Sequence, residues 1–501
     1  MLFHRANLQP VDVKTLSAKH PLCNVELFKR YEALYSGGHV FREVLCDFLP
    51  KQPQDTQEIY NLRLKEASYR PYVGQIVRAY AGALFSAPYV LRTKKDDKTV
   101  DLDAAYTAIK EDCDGQGSDL TSFFKDRFRK ALVTCASYWL VQAPVVDSEL
   151  SEKEIKARGL DRAHIVPLET SNVLDWEVAD DGAYAWVKVF NRTVRRPDPG
   201  KAPIVVDTWR VYFPEQVEVY QISYDPKKPP KGATTVPMID AYEHGFTRVP
   251  ILCLRLPDGL WLLDAAADAQ IEHFRLSCAL GWSLRRSAYP LGIFNLQSGS
   301  EPPKTGPGLG VILGTGETFG WVEPSGSSLT VLRDEIKAQK DEIYRVSQQM
   351  AMSADNSSAS IGRSGLSKLA DADAADACLR DYAYFVREAI EATFELISNA
   401  RGDYDLVFSV EGLNSFNSQD VETIVDVAKA AREFGIEAES DTFRIESHCR
   451  IADLVLPADV QQDVKNKIRE EISKAPKPIE SNNGENRTNP AKPTPAGSSE
   501  E

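Results

Sequence analysis

Ser353-Ala-Asp-Asn-Ser-Ser-Ala-Ser-Ile-Gly-Arg-Ser-Gly365 separates two long helical patterns, Ser327 to Met352 and Leu366 to Ile397, and the reading of this junction decides the fold. Helix-to-helix connections in compact bundles take roughly 2–8 residues, and longer ones tend to be functional or disordered. This one is longer, small, polar and nearly uncharged, with Arg363 as its only cation. Two rods holding a supple loop suit a loop that touches something that moves. A linker that merely reverses the chain is the alternative, and the sequence leaves both open.

Upstream of the loop, Leu329, Leu332, Ile336, Gln339, Ile343, Val346 and Met350 recur at alternating steps of three and four, a heptad stripe with one polar break. The other faces carry Arg333, Asp334, Glu335, Lys337, Lys340, Asp341, Glu342 and Arg345. Such a stripe either rests on its own core or packs beside copies of itself. Before it, Leu291 to Gly326 is rich in Gly and Pro, with Gly310-Val-Ile-Leu313 and Thr318-Phe-Gly-Trp321 as brief strand candidates. This reads as a small β-rich insert. Before that, Leu263, Ala267, Ile271, Phe274, Cys278 and Trp282 form one stripe of a helix from Leu260 to Arg286, which Pro290 ends. At 1.5 Å per residue that helix is roughly 40 Å long.

The first third reads mainly helical. Glu58 to Lys65 and Tyr72 to Leu84 are amphipathic, with Pro71 suited to the first turn of the second. From Ile165 to Leu256 the period changes to two: Tyr184 to Phe190, Thr208 to Phe213 and Val217 to Ile222 alternate, separated by turn clusters such as Arg196-Pro-Asp-Pro-Gly200. That is an antiparallel meander. After the second rod, Tyr404 to Val410 reads as a strand, and Gln419 to Phe434 and Ala458 to Ser473 as helices. From Lys474 on, the chain is Pro, Ser, Asn, Glu and Lys with almost no apolar residues, a composition expected to stay disordered. The fold class is therefore α+β, in several domains, since single cores stop growing at roughly 250–300 residues and this chain has 501.

The formal net charge of −14 makes the chain a poor candidate for gripping DNA, because duplex binding is driven by Lys and Arg neutralising phosphates. It suits DNA that slides past without sticking. The eight cysteines include no C-x-x-C pair and read as reduced, mostly buried thiols. The N-terminus has no apolar region of a signal peptide. The longest uncharged stretch, Ala131 to Val146, is too short and too polar for a membrane span and reads as a buried segment.

Chemical motifs are weak. There is no G-x-x-x-x-G-K-[ST] phosphate cradle, and the glycines at 306, 308, 310, 314 and 316 fit turns of the insert. Asp112-Cys-Asp-Gly-Gln-Gly-Ser-Asp119 resembles the start of a calcium loop, but Phe123 stands where the bidentate acid belongs, so a polar turn is expected. Asp371, Asp373 and Asp376 read as an acidic helical stripe rather than a cation site. The seven histidines are scattered, and no G-x-S-x-G elbow supports a nucleophile. No enzyme, cofactor or metal is expected.

The order of these pieces resembles the portal proteins of tailed bacteriophages, in a branch catalogued as a domain of unknown function. His20-Pro21, Leu49-Pro50, Glu58-Ile-Tyr-Asn-Leu-Arg63, Tyr69-Arg70, the Gly82, Phe85 and Pro88 of Ala81 to Pro88, and Trp321-Val-Glu-Pro-Ser-Gly326 carry the likeness. It covers nearly all of the chain except the tail; Leu27-Phe-Lys-Arg-Tyr31 departs from the branch pattern, which often has Trp or more Arg there.

The resemblance implies a homo-oligomeric ring, usually of about twelve copies, at one capsid vertex of a virion made in a host bacterial cytoplasm. Double-stranded DNA would be packaged and ejected through it. Implied partners are the terminase large subunit, a head-completion or adaptor protein, and the major capsid and scaffolding proteins, with no membrane. The implied organisation is a wing over 1–258, stem helices over 259–287 and 327–352, a clip over 288–326 and a tunnel loop over 353–365. A wing helix over 366–402, a strand and crown helices over 403–473 and a tail over 474–501 complete it. Asn356, Ser357, Ser358, Ser360 and Arg363 would face the DNA channel. Leu329, Leu332, Ile336, Ile343, Val346 and Met350 would pack subunits in the stem. Phe294, Leu309, Val311 and Phe319 would dock the motor or adaptor. Another head-assembly protein, an adaptor or minor capsid protein, is the rival reading, and an enzyme with a cryptic site a more distant one.

Overall fold

The computed structural model describes residues 10–86, 89–96, 98–100, 102–143, 162–196, 198–257, 259–287, 291–295, 315–316, 318–322, 327–347, 365–413, 445, 448–449 and 462–474. Within 365–377, 291–294 and a few other positions only the backbone is described. The chain divides into two compact units, Met1–Phe416 and Asn417–Glu501. In the second, the described helix is Gln462–Lys474, within the expected 458–473 pattern but for its last residue.

The first unit is mixed helix and sheet, as expected. Its organising strand is Ala136–Gln142, the centre of an antiparallel sheet between Ile251–Arg255 and His164–Leu168. This strand lies within the uncharged stretch Ala131 to Val146 read as a buried segment, whose first residues end helix Leu120–Thr134 and whose residues 144–146 lie outside the described residues. It is buried on both faces because each face meets a different core. Trp139 and Val141 point into a helical core with Phe123, Phe124, Phe128, Val386 and Phe394. Ala136, Tyr138 and Leu140 point into a sheet core with Trp176, Val187, Tyr212 and Val217. A side-chain period of two, applied to a strand covered on both sides, gives a continuous apolar run.

The second sheet is the expected meander. Val173–Val178, Tyr184–Arg195, Ile204–Tyr212, Gln216–Tyr224 and Met238–Glu243 follow one another as antiparallel neighbours. Its second face closes on a smaller core in which Trp209, Tyr220 and Val236 meet Leu16 from the N-terminal segment.

Helices Val25–Ser36, Tyr72–Leu84 and Leu120–Thr134 pack on the helical core, their N-termini set by local chemistry. Asn24 accepts from the Leu27 amide, and Asp119 from those of Thr121 and Ser122, the ordinary way of satisfying a free helix end. Pro71, expected in the first turn, stands one place earlier at the N-cap. Gln57–Glu66 is helical as read.

A third sheet joins distant pieces of sequence. Leu406–Gly412, expected as a strand, pairs antiparallel with Tyr89–Lys95, which pairs with Lys98–Val100. The strand grouped in sequence with the C-terminal helices thus lies in the first unit.

Candidate functional site

Two long helices, Leu262–Ser287 and Ser327–Val346, leave this body together. Their roots are anchored by buried contacts. Phe274 meets Phe41 and Tyr69 edge to face. The wholly buried Gln270 accepts from the Val73 amide at 3.2 Å and donates to the Arg70 carbonyl at 3.0 Å, tying the first long helix to the start of Tyr72–Leu84. Arg275 Nε donates to the Phe48 carbonyl at 3.0 Å. On the second helix Ile343 is fully buried, and Ser347 donates back to its carbonyl at 2.7 Å. Tyr72 bridges the pair, its ring against both His273 and Tyr344 with Lys340 above it. His273 of the first helix therefore lies near Lys340 and Tyr344 of the second.

Beyond this root no residue from Arg275 to Arg285, or from Ser327 to Glu342, is buried. The two helices pack on each other. Leu329, Leu332, Ile336 and Val346 are half-buried, as are Leu276, Leu280, Trp282 and Leu284 opposite. The heptad stripe is thus partly covered, and both of the uses left open above remain for the area still exposed. Two helices alone cannot cover an apolar stripe fully. Val331, outside the stripe, is 68% exposed. The outer face is charge-balanced, with Arg345 gripping Glu342 through two hydrogen bonds and holding that carboxyl below its usual range. Met350 lies outside the described residues.

The β-rich insert contains one described strand pair, Leu291–Asn295 against Thr318–Val322, in which Phe294 and Phe319 are direct cross-strand partners. The backbone register thus unites two of the four expected docking residues; Leu309 and Val311 lie outside the described residues. So do all five loop residues, Asn356, Ser357, Ser358, Ser360 and Arg363. The third long helix is described from Gly365 to Arg401 and enters the core from Cys378 onward, through Leu379, Tyr382, Val386, Ile390 and Phe394. Asp371, Asp373 and Asp376 fall in its backbone-only portion.

The calcium-like stretch is a polar turn. Asp112 accepts from the Gly117 amide and pairs with Arg162, Asp114 accepts from the amides of Gln116 and Ser118, and Asp119 caps a helix. These carboxylates are committed to the backbone rather than to a common point. Among the described residues, no group of three or more His, Cys, Asp or Glu is placed to hold a metal, and no helix is long and apolar enough to cross a membrane. No disulfide joins the eight cysteines, and Cys23, Cys113, Cys378 and Cys449 are buried.

Sequence reading missed a cleft of about 380 Å³ whose walls come from the turn at 178–184, residues Arg248 to Arg255, and one face of the third long helix at Ala392 to Asn399. Arg248 and Arg255 line it with Tyr184, Leu252, Cys253 and Leu396. Arg255 donates to Tyr138 Oη at 3.1 Å and lies over the Trp176 ring at 5.5 Å. Three separate segments make this cleft, so no local pattern announces it.

No family model matches the chain, and no curated protein matches it. Among solved structures, a chain described as "Virion of native gene transfer agent (GTA) particle" is similar, at 13% identity and a TM-score of 0.40, over 83% of this chain and 98% of that one. So shallow an overlap transfers no role to any residue here.

Proposed function

We propose that the protein is the subunit of a portal ring, a passive conduit through which double-stranded DNA enters and leaves a phage-like capsid. The observation that carries this reading is the two-helix projection. Leu262–Ser287 and Ser327–Val346 leave the body at Phe274 and Ile343, continue with no buried residue, and bracket the strand pair of 291–295 and 318–322. A lone pair of helices with a half-buried stripe gains from neighbours on either side, and a head-to-tail contact that closes makes a ring. In this reading the strand pair, with Phe294 and Phe319 opposed, is the docking tip for motor and adaptor. The segment 353–365 faces the channel, where one Arg363 per subunit meets phosphates without forming a deep trap.

The test is DNA packaging with rings carrying Arg363→Glu and, separately, deletion of 356–360. The reading expects normal rings with impaired packaging or retention. Rings that package and retain DNA like the parent reduce the loop to a linker.

A further inference from the structure

The lining of the cleft beside the third long helix carries more positive than negative charge. Two arginines, Arg248 and Arg255, line it against one carboxylate, Glu395, and among the described residues none of these three forms an ion pair. The other polar neighbours of Arg255 do not supply a negative charge. Burial pushes the Cys253 thiol up to about 11 and moves the Tyr138 and Tyr184 phenols upward too, so all three stay neutral near pH 7. Arg255 is also held in place, one N–H on Tyr138 Oη and its Cζ 5.5 Å from the centre of the Trp176 ring. A guanidinium fixed this way has further N–H groups to offer, and its geometry matches a carboxylate bidentately. The apolar part of the lining, including Val178, Leu252 and Leu396, suits a hydrocarbon stem behind that carboxylate. The volume of about 380 Å³ is at the small end of ligand sites.

We propose that this cleft binds a carboxylate carried on an apolar stem, supplied by an acidic side chain of a second copy of the chain. The second-copy part rests on the ring reading above. Charge complementarity argues for it: the chain has 73 Asp and Glu against 59 Lys and Arg, so each copy offers carboxylates in excess of its own cations. Location adds to it. Ile251–Arg255 leads into the first long helix, and Glu395 and Asn399 lie on the third, so an occupant braces both chain segments that flank the projection.

The first arm of the test titrates the full chain with the probe acetyl-Leu-Glu-amide and reads tryptophan fluorescence. The expected result is a saturable change that weakens with salt and is absent in Trp176→Phe. The apparent Kd should rise at least tenfold in both Arg248→Gln and Arg255→Gln, whose folding is checked by circular dichroism. Acetyl-Leu-Gln-amide should not bind. A flat titration at millimolar probe, or equal binding of the glutamine peptide, overturns the site. The second arm compares native mass spectra of the parent and the Arg248→Glu, Arg255→Glu double variant. Loss of higher oligomers in the variant supports the second copy as the source. Oligomers of parental yield, with probe binding retained by the parent, assign the cleft to a free carboxylate and overturn that source. A parent that makes no ring overturns the ring reading and the second copy together, while the probe arm still decides the cleft.

Discussion

Tyr80 Oη donates a 2.6 Å hydrogen bond to the main-chain carbonyl of Ser347, one residue past the end of the second long helix. Both residues are buried, and burial drives the Tyr80 pKa upward, so the phenol remains a donor at all ordinary pH values. Helix ends leave four carbonyls without intrahelical partners, and a buried one needs another donor. Tyr80 supplies it from helix Tyr72–Leu84, fixing where the projection ends and where the segment after it begins.

Replacing that donor leaves the carbonyl without a partner. Tyr80→Phe should lower stability by about 1–3 kcal/mol. Urea unfolding followed by far-ultraviolet circular dichroism measures it. An unchanged midpoint and slope would mean that the bond does not hold the helix end.

A second buried bond locks the third long helix to the central strand. Trp139 Nε1 donates to Thr393 Oγ1 at 3.1 Å, and both side chains are fully buried. Thr393→Val should cost about 1–3 kcal/mol, since it strands the indole N–H. A double-mutant cycle with Trp139→Phe should give a coupling of roughly 1 kcal/mol, and purely additive losses would contradict the contact.

Two glycines of helix Tyr72–Leu84 make opposite predictions. A Cβ at Gly74 would lie 2.3 Å from the Tyr35 carbonyl oxygen, a backbone atom that cannot turn aside. Gly74→Ala should therefore destabilise by about 1–3 kcal/mol or more, through forced separation of helix Val25–Ser36. A Cβ at Gly82 meets nothing within 4 Å, so Gly82→Ala should be neutral or stabilise by up to about 1 kcal/mol. Thermal unfolding of the two variants side by side decides it, and a reversed order would refute this packing.

The buried His273 gives a pH dependence. Its pKa is lowered from 6.5, first by burial and then by the positive charges of Arg70 and Lys340. The folded state thus binds the proton less readily than the unfolded chain. The neutral ring contributes its full stability above about pH 6.5, and that contribution falls as pH drops below this value toward the folded pKa. His244, lowered mainly by burial, acts in the same direction. His273→Gln should flatten the fall in stability between about pH 6.5 and 5 relative to the parent. Denaturant midpoints across that range measure it, and parallel curves would remove His273 as a cause.

Much of the fold could be read from local pattern because local pattern made it. The strands of the meander from Tyr184 to Tyr224 fall where the alternating runs lie in the sequence. The long helices follow stripes such as Leu263 to Phe274, whose members are all buried. What could not be read is pairing at a distance. Nothing in Tyr89–Lys95 names Leu406–Gly412 as its partner, because backbone hydrogen bonds carry no sequence label. Nor does the heptad stripe say whether its neighbour is the same chain or another. Packing against Leu262–Ser287 answers only for the face turned inward. The cleft at Arg248 and Arg255 needed three segments brought together before its charge had meaning.

The central claim is that this chain closes into a ring through the faces its helical projection leaves exposed. Native mass spectrometry of the purified full chain, at micromolar concentration and moderate salt, tests it most directly. The account predicts one dominant species of about twelve copies, seen as a ring with a central hole by negative-stain microscopy. A protein that stays monomeric or dimeric across a range of salt concentrations would contradict it.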